Sequence, residues 1–161
     1  RLRAACLGLT PMVEADAWAH AKARWHHGGD DRGADLVFQT RADSASLHAA
    51  MQALRPQGTV IDLAFYTGDA AALDLGAEFH HNGLGIRSAQ IGRVPRGTAH
   101  LWDRERLSAE TIAFLRHTGG RLREHLITDV VPLEAGPALL TDLAARRRHT
   151  VQAVLAFDDQ A

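Results

Sequence analysis

The sequence predicts an α/β domain, a parallel sheet with flanking helices. Two apolar segments, at residues 36–38 and 59–66, are short enough for buried strands. Between them, apolar residues recur at helical spacing, so the segment predicts one amphipathic helix. Further strand and helix patterns alternate toward the end of the chain, and this alternation is typical of α/β layering.

Composition limits the classes of protein to consider. The 161 residues carry 18 basic and 19 acidic side chains, a net charge of −1 that argues against a broad nucleic-acid surface. The 46% apolar and 23% charged content is ordinary for a globular domain. A single cysteine excludes an internal disulfide and a multi-cysteine zinc site. No apolar run approaches the ~18 residues that span a bilayer, so we expect a cytoplasmic protein with no membrane partner.

The first 32 residues carry weak patterns. Residues 1–8 resemble the last turns of a helix, with Gly8 as the C-cap. A short strand is expected near Met12–Val13, followed by an alanine-rich helix over 15–25. Residues 26–32 (HHGGDDR) predict a polar loop.

Residues 33–66 carry the clearest pattern. The segment 33–40 (GADLVFQT) predicts a strand buried on both faces, as in a parallel sheet. Asp43 or Ser44 can cap a helix over 45–54, and Pro56 and Gly58 end it. The apolar stripe of this helix comprises Leu47, Ala50, Met51 and Leu54. Residues 59–66 (TVIDLAFY) predict the next strand, joined to the first by a parallel crossover.

The rest of the chain continues the alternation. The expected elements are a helical turn at 78–82, a strand at 84–91, a loop at 92–102, a helix at 104–118 ended by Gly119-Gly120, a strand at 126–131, a helix at 133–146 and a strand at 151–157.

Catalytic and metal-binding patterns are incomplete. The pairs His26-His27 and His80-His81 point in different directions on any regular element, so we favour a surface or packing role over a shared metal ion. Cys6 lies on the apolar side of its helix, which favours a buried hydrophobe over a reactive thiolate. No G-x-S-x-G and no G-x-G-x-x-G pattern follows a strand. The residues alone therefore assign no catalytic side chain and no metal ligand.

Asp62 interrupts an apolar strand, where an unpaired carboxylate is costly. Three interpretations stay open from the residues alone: a neighbour pairs the carboxylate, the carboxylate faces water at the strand's edge, or it has a catalytic role.

Several segments together resemble one family. They are RLRAACLGLTPMVEAD at 1–16, GADLVFQT at 33–40, LRPQGTVIDLAFYTG at 54–68, EFHHNGLGIRSAQIG at 78–92, WDRERL at 102–107 and HLITDVVPLEAGPALL at 125–140. In this order and spacing they resemble the C-terminal cofactor-domain portion of the medium-chain dehydrogenase/reductase superfamily, the zinc-type alcohol dehydrogenases. The resemblance covers nearly the whole chain.

The resemblance implies a partial Rossmann-like parallel sheet that lacks the first βαβ unit. Residues 1–125 would form part of the nucleotide-cofactor domain, and 126–161 would return to the catalytic domain. The phosphate-binding glycine loop, the second strand and the zinc-binding domain are expected before Arg1. The implied cofactor is NAD or NADP, with zinc only through that absent domain. The implied reaction is hydride transfer between a small alcohol and its carbonyl compound, with the isolated chain inactive.

The resemblance also implies where the cofactor would lie, over the carboxyl ends of the parallel strands. Thr40 and Arg41 would approach the adenosine side. The nicotinamide would be flanked by Ala64, Phe65, Tyr66, Ser88, Ala89 and Gln90. The strand at 84–91 would pair with its counterpart in a homodimer.

The chain departs from the family pattern at two places. Residues 39–41 replace a small residue and glycine, so that Arg41 would either contact a phosphate or crowd the adenine site. Asp62 replaces an apolar residue. The departures keep an alternative open, a degenerate α/β module without enzymatic activity that serves dimerisation or scaffolding. A histidine-based metal-binding protein is a third, less favoured hypothesis.

Overall fold

The computed structural model describes residues 2–157. Two helices and three strands come first, and helices and strands are interspersed in the rest of the chain. The helices are α1 (Leu2–Cys6), α2 (Glu14–Arg24), α3 (Ser44–Gln52), α4 (Arg104–Leu126) and α5 (Gly136–Ala144). The strands are β1 (His26–Gly28), β2 (Asp31–Arg32), β3 (Ala34–Gln39), β4 (Leu54–Asp62), β5 (Gly85–Ser88), β6 (Ile127–Pro132) and β7 (Gln152–Ala156). The chain divides into two compact units, residues 12–94 and the remainder.

A three-stranded parallel sheet, in the order β3-β4-β5, forms the centre of the 12–94 unit. Helix α3 connects β3 to β4, as its apolar stripe predicts. The Asp43 carboxylate caps this helix by accepting a hydrogen bond from the Ser46 backbone N–H at 2.7 Å. The predicted α/β fold with a partial Rossmann-like parallel sheet and flanking helices is therefore confirmed.

The core of this unit lies between α3 and the sheet. Met51, Leu54 and Val60 are fully buried there. Met51 belongs to the predicted helical stripe and Val60 to the predicted strand. Leu54 was expected in the helix, but α3 ends at Gln52 and Leu54 begins β4, so Pro56 and Gly58 lie in the strand and do not end the helix. The opposite face of β3 is different, because Leu36 and Phe38 are exposed. The prediction that this strand is buried on both faces is wrong. Successive side chains point to opposite faces, and α3 covers only one of them.

A tightly packed glycine, Gly33, lies directly before the first strand of this sheet. Gly33 has a φ of +119°, and a Cβ on it would lie 2.7 Å from the Ala53 carbonyl oxygen. That approach lets the Ala34 N–H donate to the same oxygen at 2.9 Å. Strand β4 consequently begins at Leu54, earlier than the predicted residue 59, and it ends at Asp62 instead of Tyr66.

Two early predictions are wrong. Residues 26–32 form the small antiparallel pair β1–β2 instead of a loop, because Gly28 and Gly29 adopt positive φ angles and turn the chain. No strand forms at Met12–Val13, and Val13 is the extended residue before α2. The predicted helix over 15–25 corresponds to α2.

The later strands and turns agree with the predicted pattern. The helical turn lies at Leu75–Phe79, slightly before the predicted position, and Asp74 caps it. Strand β5 is shorter than the predicted 84–91. In the second unit, β6 and β7 pair in parallel, and α5 lies between them in the chain. Gly8 ends α1 with a φ of +82°, as expected of a C-cap.

Helix α4 is longer than predicted. It continues through Gly119 and Gly120 to Leu126, so the prediction that these glycines end it is wrong. A glycine in a helix costs only ~1 kcal/mol relative to alanine. Two contacts stabilise the start of the helix. The Asp103 carboxylate accepts a hydrogen bond from the Arg106 backbone N–H, and the Arg106 guanidinium lies 4.2 Å from the Trp102 ring centre.

No helix within residues 2–157 is both long enough and apolar enough to cross a membrane.

Candidate functional site

The carboxyl ends of β3, β4 and β5 meet at one edge of the sheet. Gln39 pairs with Asp62 across β3 and β4, and Asp62 pairs with Ser88 across β4 and β5. Two further backbone bonds continue this alignment, from the Leu63 N–H to the Gln39 carbonyl and from the Ala89 N–H to the Asp62 carbonyl, both 2.8 Å. We call residues 39–41, 62–66 and 88–90 the carboxyl edge.

All eight residues of the predicted cofactor site lie on this carboxyl edge. Thr40 and Arg41 directly follow β3, and Ala64–Tyr66 lie just beyond β4. Ser88 ends β5, and Ala89 and Gln90 follow it. The parallel register of the sheet brings the three segments side by side, although they are widely separated in the sequence. Their role in binding a cofactor stays a prediction.

Arg41 is paired with two carboxylates. Its guanidinium lies 2.6 Å from the Glu14 carboxylate and 2.8 Å from the Asp43 carboxylate. The Ser46 hydroxyl donates a further bond to Glu14 at 2.6 Å. The hydrogen bond from the Ser46 backbone N–H holds the pKa of Asp43 below its ordinary value, and the Arg41 charge lowers this pKa further. The guanidinium charge is therefore compensated within the chain.

A cavity of about 380 Å³ opens between α2, α3 and the end of β3. Small side chains form much of its wall, and the polar groups of Glu14, Arg41 and Ser46 stand around it. Its lining residues are Glu14, Ala17, Val37, Phe38, Gln39, Thr40, Arg41, Ser46, Ala49, Ala50 and Ala53. Sequence reasoning missed this cavity, because it depends on which alanines α2 and α3 turn toward each other.

Asp62 is paired by its neighbours, the first of the three interpretations that the sequence left open. Its side chain is buried, and it accepts a hydrogen bond from the Ala64 backbone N–H at 3.1 Å. The Tyr66 hydroxyl is also influenced by this carboxylate. Burial raises the pKa of Tyr66, and the neighbouring Asp62 carboxylate raises it further.

The hydrogen bond between Gln39 and Tyr66 was not predicted from the sequence. The Gln39 side-chain N–H groups donate to the Arg41 carbonyl at 2.5 Å and to the Tyr66 hydroxyl at 3.1 Å. Its side-chain oxygen accepts from the Arg41 backbone N–H at 2.5 Å. The only signal in the sequence is a polar residue at the end of an apolar strand.

The histidines and the cysteine lie elsewhere. Within residues 2–157, no group of three or more His, Cys, Asp or Glu side chains is placed to hold a metal ion. His27 contacts the Gly33 carbonyl at 3.2 Å, and His81 contacts the Gly76 carbonyl at 2.9 Å. Cys6 is exposed, so the expectation of a buried position is wrong. The described residues therefore offer no donor set for the zinc that the resemblance implies.

Comparisons with known proteins are consistent with this geometry. No protein-family model matches the chain, and no curated protein matches its sequence. Solved structures do match. An alcohol dehydrogenase from Thermus sp. ATN1 superposes with a TM-score of 0.67 over 96% of this chain, at 21% identity. An alcohol dehydrogenase from Thermotoga maritima superposes with a TM-score of 0.68 over 91%, at 15% identity.

A third match is galactitol-1-phosphate dehydrogenase from Escherichia coli, with a TM-score of 0.59 over 86% of this chain and 14% identity. The chain spans 40%, 36% and 36% of the lengths of these three proteins. At this identity the comparison shows the fold. The resemblance to alcohol dehydrogenases is therefore confirmed at the level of the fold.

Proposed function

We propose that the chain is the cofactor-domain portion of an NAD(P)-dependent, zinc-type alcohol dehydrogenase-like oxidoreductase. The reaction would be reversible hydride transfer between a small alcohol and its carbonyl compound. The observation that carries the proposal is the carboxyl edge, where three parallel strands end together beside a cavity. Such an edge is where open α/β sheets bind ligands. The alcohol dehydrogenase fold supports the same assignment.

The cavity beside Thr40 and Arg41 has room for the adenine portion of a dinucleotide. Its alanine wall offers apolar contact to a flat ring, and Glu14 and Arg41 offer polar groups at the rim. Of the two roles that the sequence leaves open for Arg41, phosphate contact is the less favoured, because two carboxylates already compensate its charge.

The segments Ala64–Tyr66 and Ser88–Gln90 would flank the nicotinamide, partly through backbone groups. When bound, the nicotinamide ring would supply the hydride or accept it. The chain's own contribution would be to orient that ring and to keep the dinucleotide extended along the carboxyl edge. Residues 1–125 would serve this cofactor domain and 126–161 would return to the catalytic domain. A cytoplasmic location stays a prediction.

A titration of the chain with NADH and NADPH, followed by calorimetry, tests the proposal. The informative variant is Ala49→Leu, because Ala49 lines the cavity and a larger side chain would fill it. We expect saturable binding that Ala49→Leu weakens at least tenfold, about 1.4 kcal/mol. The matched control is Ala45→Leu, on an exposed position of the same helix. If both variants bind NADH and NADPH equally well, the cavity does not hold the dinucleotide.

Homodimerisation is proposed through the segment 84–91. Among the described residues, β5 pairs only with β4, which leaves its other edge available for a second copy. Sedimentation equilibrium measures the mass directly. We expect a dimer that Ile91→Asp weakens, because Ile91 is fully exposed at the end of this segment. The control is Arg93→Asp, just outside it. A monomeric wild-type chain would refute the dimer.

The second candidate function is a non-enzymatic module for dimerisation or scaffolding. The observation that favours it is the charge at the carboxyl edge, where Asp62 adds a carboxylate and Glu14 and Asp43 compensate Arg41. These groups disfavour an anionic ligand. A chain that dimerises but binds neither NADH nor NADPH would favour this module over the oxidoreductase.

A further inference from the structure

Three polar side chains interact at the carboxyl edge. Gln39 lies at the end of β3, Asp62 at the end of β4, and Tyr66 four residues beyond Asp62. The Tyr66 hydroxyl accepts a hydrogen bond from the Gln39 side chain at 3.1 Å, and the neighbouring Asp62 carboxylate raises its pKa. We call these three residues the Tyr66 network.

Both ends of the Tyr66 network are anchored to the backbone of the predicted site. Gln39 holds the N–H and the carbonyl of Arg41, each at 2.5 Å. Asp62 holds the Ala64 N–H at 3.1 Å. The network therefore adds side-chain interactions to the backbone bond that already joins the segment after β3 to the segment after β4.

The network is costly to break. Gln39 is only 5% exposed and Asp62 only 8% exposed, and a buried polar group without a partner is destabilising. Every N–H and oxygen of the Gln39 amide has a partner in the site. A fully hydrogen-bonded amide of this kind specifies one arrangement of the groups that it joins.

We propose that Gln39 and Asp62 are positioning residues that act through the Tyr66 hydroxyl. They hold the segments Thr40–Arg41 and Ala64–Tyr66 in the single arrangement in which the carboxyl edge binds its dinucleotide. The inference rests on the proposed function, because that function supplies the ligand. It goes beyond the resemblance, since Gln39 and Asp62 are among the positions at which the chain departs from the family pattern.

Tyr66 reports on this network directly, because it is the only tyrosine of the chain. The ultraviolet absorbance of tyrosinate therefore follows one hydroxyl. The charged groups that act on this hydroxyl are the carboxylates of Asp62 and, to a smaller extent, Asp43. Asp69 lies on the wall of a small cavity that Tyr66 also lines, and its carboxylate bonds the Ala71 N–H.

The first measurement is the tyrosinate titration of folded wild type and variants. Asp62→Asn removes a negative charge and a proton acceptor, so the pKa of Tyr66 should fall. Gln39→Leu removes a donor that stabilises the phenolate, so the pKa should rise. The matched control, Asp69→Asn, lies outside the network and should change the pKa much less. Shifts that fail to take opposite signs would show that the network does not form.

The second measurement is NADH affinity in the full chain. Tyr66→Phe keeps the ring and removes only the hydroxyl, so it should fold even where a change at Gln39 does not. We expect Tyr66→Phe and Asp62→Asn each to weaken binding about five- to tenfold. Because both act through one hydroxyl, the double variant should bind about as well as either single variant, whereas Asp69→Asn should bind like wild type.

The outcomes separate the two proposals. If wild type binds neither NADH nor NADPH, the proposed function fails and the positioning role falls with it, while the titration still decides whether the network exists. If wild type binds and the folded Tyr66→Phe variant binds equally well, the positioning role is overturned and the proposed function stands. Weakened binding in the network variants alone supports both.

Discussion

At the scale of single residues, Asp129 shows how a polar cluster ties the second unit together. Its carboxylate accepts bonds from the Thr128 hydroxyl at 2.7 Å and from the Arg148 guanidinium at 2.5 and 3.0 Å. Hydrogen bonds from Thr150 and Thr128, and then Arg148, lower the pKa of Asp129 to about 2. The cluster connects β6 to the turn that precedes β7.

This pKa predicts a pH dependence of stability. A carboxyl group with a lowered pKa in the folded state stabilises that state when ionised. Its contribution is fully present above its ordinary pKa of 3.8 and is lost as the pH falls toward about 2. We expect Asp129→Asn to lower the urea midpoint at neutral pH and to match wild type near the acid end of this range. The control is Asp30→Asn, at an exposed turn position. If Asp129→Asn lowers the urea midpoint equally at every pH, the lowered pKa of Asp129 is not the cause of the lost stability.

Gly33 gives a second prediction at this scale. Its φ of +119° and the backbone atoms 2.7 Å from a built Cβ leave no room for a side chain. We expect Gly33→Ala to destabilise the chain by roughly 1–3 kcal/mol in urea unfolding. The control is Gly68→Ala, because Gly68 has open space and an ordinary φ. Equal effects at the two positions would show that the entry to β3 is not constrained.

At the scale of elements, local signals decided which predictions succeeded. The β3–α3–β4 unit was predictable because the Asp43 cap, the apolar stripe and the short apolar strands all lie within 30 residues or so. The exposure of Phe38 was not predictable, because burial depends on which element covers a face of the sheet. The β1–β2 pair was missed because adjacent glycines favour a tight hairpin turn as readily as a loop.

Helix α4 yields a prediction for an element. Gly119 and Gly120 lie inside it with open space where a Cβ would stand. We expect Gly120→Ala to stabilise the chain by about 1 kcal/mol in urea unfolding. Gly120→Pro should instead break the helix and destabilise the chain. If neither change alters the free energy of unfolding, residues 119–126 are not helical in solution.

The site was predictable only in part, for reasons at the same scale. Parallel strands predict that the residues after β3, β4 and β5 share one edge, and the structure places all eight candidates there. The Tyr66 network was not predictable, because Gln39 and Tyr66 are 27 residues apart and meet only through the strand register. The sequence showed Asp62 as a carboxylate within an apolar strand, but it did not predict which groups Asp62 contacts.

At the scale of the whole molecule, each unit exposes large apolar side chains. In the 12–94 unit these include Phe38 and Phe65, and in the other unit Val130, Leu140 and Phe157. Apolar surface of this extent promotes association. It agrees with the proposal that the chain functions against further protein surface, in a dimer or beside a catalytic domain.

The central claim is that the carboxyl edge binds a nicotinamide dinucleotide. The most direct measurement is an NMR titration of the isotope-labelled chain with NADH, with backbone amide shifts assigned to residues. We predict saturable shifts at residues 40–41, 64–66 and 88–90, with Asp69 and the α4 amides unchanged. Shifts that are absent, or that are spread over the exposed apolar surfaces without saturation, would contradict the account.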